Sequence, residues 1–210
     1  MDADPGGHPG IRRIERLGLL GGTFDPVHVG HLVAAQEALA SLRLDRVLIV
    51  VAGDPWQKAG GVHAPADVRL AMVEAAVEGV AGLEASGIEV DRPGPSYTAD
   101  TLARLASPGR EIFVIVGSDV AAHLDTWVRV DEVRELATLV IVQRAGEAAA
   151  RVDLGGWRVE RVTMPRLDLS ATEIRRRVAQ GLPIDFVVPS GAVRIIRDRG
   201  LYTRPDDACS

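Results

Sequence analysis

The residues of this sequence best placed to do chemistry are two histidines, three positions apart, close behind a pair of glycines. The segment reads Gly21-Gly22-Thr23-Phe24-Asp25-Pro26-Val27-His28-Val29-Gly30-His31. An apolar run, Leu17 to Leu20, precedes it, and an amphipathic helical stretch begins at Gly30 and extends to Leu42. A strand that ends in glycines and turns into a helix exposes backbone N–H groups, and the helix start adds a positive dipole end. Gly21 and Gly22 let the backbone turn tightly and approach a ligand, and Thr23 adds a hydroxyl. Residues three apart share one helix face, so His28 and His31 can act on one group. Negatively charged phosphate oxygens suit that set. A helix cap plus a core histidine would explain one imidazole, but two in this context favour phosphate contact. Zinc has no evident third ligand nearby.

Four further clusters have chemical potential. Ser170-Ala171-Thr172-Glu173-Ile174-Arg175 opens a second helix with a capping box made by Ser170 and Glu173. That box leaves Thr172 and Arg175 unexplained, and both suit the outer phosphates of a triphosphate. Gly117-Ser118-Asp119 follows an apolar run; Asp119 can accept from ribose hydroxyls or simply cap a helix. Lys58, in Pro55-Trp56-Gln57-Lys58, suits a substrate phosphate or a solvated loop. Tyr97-Thr98 leads into a helix whose start can hold an anion, or which Thr98 merely caps. Trp127 fits either a core position or a wall for a ring.

The elements that must carry these groups alternate between β-rich and helical runs. Strands are expected at 17–20, 46–52, 83–90, 111–116, 138–143 and 157–163, and helices at 30–42, 65–78, 98–106, 130–137, 170–180 and 189–199. Val47 to Val51 and Ile112 to Val116 are continuous apolar runs, as strands covered on both faces require. Such alternation predicts an α/β, Rossmann-like doubly wound and mainly parallel sheet with helices on both faces. Ligands of such sheets sit at the carboxyl ends of the strands, where all the clusters above fall.

Bulk composition sets outer limits. The chain has 210 residues, 47% hydrophobic and 25% charged, with a formal net charge of −5. That fits one globular domain, here expected over 16–203, between flexible segments 1–15 and 204–210. The acidic balance argues against nucleic acid as a partner, while a local positive cluster can still bind phosphate. The single cysteine, Cys209, excludes a multi-cysteine zinc site and fits a reducing cytoplasm. No run is long and apolar enough to suggest a membrane span. A homo-oligomer is compatible with the sequence.

Gly21-Gly22-Thr23-Phe24-Asp25-Pro26 followed by His28-x-Gly30-His31 resembles the first signature of the HxGH nucleotidyltransferase superfamily, and Ser170-x-Thr172-x-x-Arg175 resembles its second. With Tyr97-Thr98, Gly117-x-Asp119, Trp127 and the ending Pro189-x-x-x-Val193, Ile195-Ile196, Gly200-Leu201-Tyr202, the chain is most similar to the bacterial nicotinate-nucleotide adenylyltransferases. The resemblance runs from about residue 17 to 202. Ala171 and the Asp54-Pro55-Trp56-Gln57 stretch depart from the usual pattern.

That resemblance implies adenylyl transfer from ATP to nicotinate mononucleotide, giving nicotinate adenine dinucleotide and pyrophosphate, with Mg²⁺ bound through ATP phosphates. It makes His28, His31 and Arg175 catalytic. Gly21, Gly22, Thr23, Phe24, Gly117, Asp119, Ser170 and Thr172 join them as the ATP site. Thr23 and Lys58 would hold the mononucleotide phosphate, and Tyr97, Thr98 and Trp127 would frame the pyridine. Alternatives are a nicotinamide mononucleotide or phosphopantetheine adenylyltransferase, a cytidylyltransferase, or a nucleotide-binding module without catalysis.

Overall fold

The computed structural model describes residues 13–55, 62–146 and 154–203. The expectations about Lys58, the first twelve residues and the last seven therefore lie outside the described residues.

Six strands form one sheet: β1 (Glu15–Gly22), β2 (Arg46–Val51), β3 (Leu83–Ser86), β4 (Arg110–Gly117), β5 (Ala137–Arg144) and β6 (Val159–Met164). Their order is β3-β2-β1-β4-β5-β6 and every neighbouring pair is parallel. The helices are α1 (Val29–Ser41), α2 (Ala66–Val77), α3 (Thr98–Leu105), α4 (Ser118–Ala121), α5 (Val130–Leu136), α6 (Ala171–Ala179) and α7 (Ser190–Asp198), with a 3-10 turn at Leu124–Thr126. The Rossmann-like α/β fold expected from the alternation is the fold observed.

The strands run apolar on both faces because both faces are covered. On one side Val47, Ile49 and Val51 of β2, with Phe113 and Ile115 of β4, pack with Ala35 and Ala38 of α1, Met72 and Val73 of α2 and Ile196 of α7. On the other, Leu48 and Val50, with Ile112, Val114 and Val116, pack with Leu102 of α3, Ala121 of α4 and Val133 of α5. This alternation of neighbours is the period-2 pleat filled from two directions.

β3 is shorter than expected, ending at Ser86 rather than near Val90. Gly87 begins a turn there, with the Asp91 N–H donating to its carbonyl at 3.0 Å. Glu89 is thereby turned inward, where Thr101 donates its hydroxyl to the carboxylate at 2.5 Å.

The strand order reverses between β1 and β4. Helices leave the adjacent carboxyl ends of these strands towards opposite faces, which opens a crevice at that point. Gly21 and Gly22 of β1 and Val116 and Gly117 of β4 line a cleft there of about 680 Å³.

Candidate active site

The glycine pair behaves differently from the expected turn. Gly21 and Gly22 are the last residues of β1, still paired with Val50 and Val51 of β2. The reversal falls two residues later, at Phe24, whose φ of 51° is left-handed. An aromatic residue adopts that region only when its surroundings hold it there. Gly22 explains how: a Cβ at that position would lie 2.9 Å from the Phe24 ring. The absent side chain makes room for an aromatic ring. Phe24 is buried and does not line the cleft. Its ring meets His31 edge-on at 5.0 Å between centroids.

His28 and His31 come together as stacked rings, 3.6 Å between centroids and 20° apart in plane. His28 is the N-cap of α1 and His31 lies three residues into it. The His28 backbone N–H donates to His31 Nδ1 at 3.2 Å. An Nδ1 that accepts leaves the proton of a neutral ring on Nε2. His28 Nδ1 is buried with no hydrogen-bond partner. An orphaned lone pair is tolerated better than an orphaned N–H, so His28 also carries its proton on Nε2. Both residues line the cleft, and in this tautomer each ring carries an Nε2–H. Burial, helped by the Arg144 cation, pushes the His28 pKa down to about 4. His28 is therefore neutral at pH 7, a dipolar ring rather than a fixed positive charge.

Across the cleft, Ser170 caps α6 by accepting from the Glu173 N–H at 3.1 Å. The second half of the expected capping box is replaced. Glu173 directs its carboxylate to Arg176, with contacts of 2.7 and 2.6 Å. Ser170 and Thr172 line the cleft. Arg175 does not. It is 3% exposed and donates to the Asp25 carbonyl at 2.9 Å and to the Thr172 hydroxyl at 3.2 Å. Its guanidinium sits behind the wall and orients Thr172.

Gly117, Asp119, Thr23, Tyr97, Thr98 and Trp127 all line the same cleft. A Cβ at Gly117 would meet the Asp119 carboxylate at 2.6 Å, a contact that this exposed side chain can relieve by turning away. Thr98 does not cap α3. It is the first helical residue, and Tyr97 holds the cap position without a side-chain cap bond. Arg92 and Arg129 both pair with Asp100 in the first turn of that helix. These arginines hold the Asp100 carboxyl below the usual carboxylate range.

Several residues of this region carried no distinguishing signal in the sequence. Arg144, at the end of β5, and Glu89 both line the cleft. Arg69 is a fully buried cation inside α2. It donates to the carbonyls of Ala64 (3.0 Å), Thr23 (2.6 Å) and Gly53 (3.3 Å). Asp25 is equally hidden. Its carboxylate accepts from the His63 N–H at 2.7 Å, the Ala64 N–H at 3.2 Å and the Tyr202 hydroxyl at 2.6 Å. No group of three or more His, Cys, Asp or Glu side chains able to hold a metal occurs among the described residues. None of their helices is long and apolar enough to cross a membrane.

Comparison with known proteins narrows the reading. The family model described as cytidylyltransferase-like matches residues 19–177. A protein of Saccharopolyspora erythraea named probable nicotinate-nucleotide adenylyltransferase is 43% identical over 200 residues, spanning 94% of this chain and 94% of its own. One of the same name from Roseiflexus sp. is 45% identical over 193 residues, spanning 89% of this chain and 97% of its own. Among solved structures, the Plasmodium falciparum nicotinic acid mononucleotide adenylyltransferase complexed with APC superposes with a TM-score of 0.74 at 15% identity, covering 90% of this chain and 97% of that one. At that identity the likeness speaks to the fold alone. The identities and the shared length with the bacterial relatives place the chain, a nucleotidyltransferase of the cytidylyltransferase-like family, among the nicotinate-nucleotide adenylyltransferases.

Proposed function

We propose that the cleft joins ATP to nicotinate mononucleotide. The mononucleotide phosphate attacks the α-phosphorus of ATP, the bond from that phosphorus to the β-phosphate oxygen breaks, and pyrophosphate leaves. Nicotinate adenine dinucleotide is the product. The nucleophile is already an anion, so no general base and no covalent enzyme intermediate is needed. Catalysis then rests on alignment and on donors aimed at the charge that builds around phosphorus. The observation that carries this reading is the stacked pair His28 and His31, both rings facing the cleft where β1 and β4 diverge.

In this reading His28 and His31 donate Nε2–H to the α-phosphate region. Ser170 and Thr172 take the outer phosphates, with Arg175 holding Thr172 in place. Gly21, Gly22, Gly117 and Asp119 receive the adenylate portion. Thr23 and Lys58 hold the mononucleotide phosphate, and Tyr97, Thr98 and Trp127 frame the pyridine. The uncapped start of α3 favours the nicotinate carboxylate over the neutral amide of nicotinamide. Mg²⁺ supplies neutralisation of ATP phosphate charge when bound. A cytoplasmic setting belongs to the same reading, with the lone cysteine fitting a reducing compartment.

The test mixes the protein with ATP, Mg²⁺ and either mononucleotide and measures pyrophosphate. Release is expected with both, with kcat/KM higher for the nicotinate form. Equal values would remove the role given to the α3 start. No release with either would leave a nucleotide-binding module.

A further inference from the structure

The buried polar cluster beneath the cleft reaches from the first loop to the last described turn of the chain. Asp25 lies one residue after the left-handed Phe24 and three before His28. Its carboxylate, 5% exposed, takes three donors: the backbone N–H groups of His63 and Ala64 and the Tyr202 hydroxyl. Its own carbonyl takes Arg175. Arg69 fastens the same loop at Thr23, and ties it to Gly53 at the end of β2 and to Ala64 before α2. A buried carboxylate without such donors would be expensive, and so would two unpaired buried guanidinium groups.

Tyr202 is the member that the adenylyl-transfer reading leaves without a task. It is 3% exposed and, like Phe24, stands in the left-handed region, with φ 61°. Burial and then the Asp25 carboxylate push its hydroxyl well above the ordinary tyrosine range, so it keeps its proton and donates. Two bulky residues with left-handed backbones therefore flank one hydrogen bond. Strain of that kind persists only where neighbours over-determine the conformation.

We infer that Asp25 and Tyr202 are positioning residues for adenylyl transfer: their hydrogen bond fixes the loop between β1 and α1 so that His28 and His31 stay face to face at the head of the cleft. Neither touches the reacting atoms. They act through Phe24, whose ring braces His31, and through the Thr23–Val27 backbone that aims His28.

Tyr202→Phe tests this in the full chain, because it removes the hydroxyl and keeps the ring. We expect kcat to fall roughly 10- to 100-fold, as displacement of catalytic groups by a fraction of an ångström does. The KM values for ATP and for nicotinate mononucleotide should stay within about threefold of the parent. The ring ¹⁵N resonances of His28 and His31 should shift. Asp25→Asn, which keeps the shape and loses the charge, should lower kcat at least as far. If Tyr202→Phe keeps kcat within about threefold and leaves the imidazole resonances in place, the inference is overturned, even if its thermal midpoint drops. Should Asp25→Asn fail to fold, Tyr202→Phe decides alone. The inference rests on the adenylyl-transfer reading. A parent protein that releases no pyrophosphate defeats that reading, while the imidazole resonances still judge the positioning.

Discussion

The two ends of the cleft are built by different means. At the histidine end, Asp25, Arg69, Arg175 and Tyr202 are all buried; the first three are joined by hydrogen bonds to backbone atoms of the loops they support, and Tyr202 to the Asp25 carboxylate. At the Trp127 end, the framing helices α3 and α5 are held by Arg92, Asp100 and Arg129, ion pairs with substantial exposure. Exposed pairs contribute little and weaken with salt, whereas a fully satisfied buried network is rigid and intolerant of change. The contrast matches the chemistry each end serves. Donors to a transition state must be in place beforehand, while a wall that receives a ring can adjust as the ring arrives.

Breaking the rigid end should have the largest effect. His31→Ala is expected to lower kcat on the order of 100- to 1000-fold, the cost of one preorganised donor, with circular dichroism and thermal midpoint near those of the parent. Turnover close to normal would take His31 out of the mechanism.

A second measurement sharpens the same end through pH. His28 is held down to about 4 in the folded chain, against about 6.5 unfolded. Between those values the unfolded chain binds the extra proton, so stability falls as pH drops from about 6.5 towards 4, by up to about 3 kcal/mol. Denaturant midpoints measured across that range for the parent and for His28→Gln should diverge, the variant losing less stability on acidification. Parallel curves would show that His28 is not buried as a neutral ring.

The adjustable end should respond more mildly. Trp127→Ala is expected to raise the KM for the mononucleotide about 10-fold, in the range for one lost stacking partner, and to leave kcat nearly unchanged, the mark of uniform binding. A large fall in kcat with KM unaltered would mean that this wall is as preorganised as the histidine end.

The sequence made much of this architecture readable. Apolar runs such as Val47–Val51 and Ile112–Val116 can only be strands covered twice, and they became β2 and β4. The histidine spacing was informative because a cap and the third residue of a helix must lie on one side. What stayed hidden were single charged residues in ordinary surroundings. Arg69 lies in a helix with acidic and apolar neighbours and looks like part of a solvated face, yet it is fully buried. Its partners are backbone carbonyls, which leave no trace in side-chain identity. Glu89 lay within an expected strand, and only the turn at Gly87 directed it inward. Arg175 was legible as important but not as buried, because helix periodicity does not say how deep a helix end is set. The glycines point to a turn that falls instead at Phe24, since a left-handed aromatic residue has no propensity signal.

The bond between Asp25 and Tyr202 joins residues 177 positions apart. During synthesis at about 5–20 residues per second, roughly 9–35 s separate the appearance of its two ends. The loop that carries both imidazoles emerges before any of the helices, but its last fastening arrives when translation has passed every strand and helix described above. A nascent polypeptide can thus hold the histidines long before it can aim them, and competence for turnover waits on that one bond.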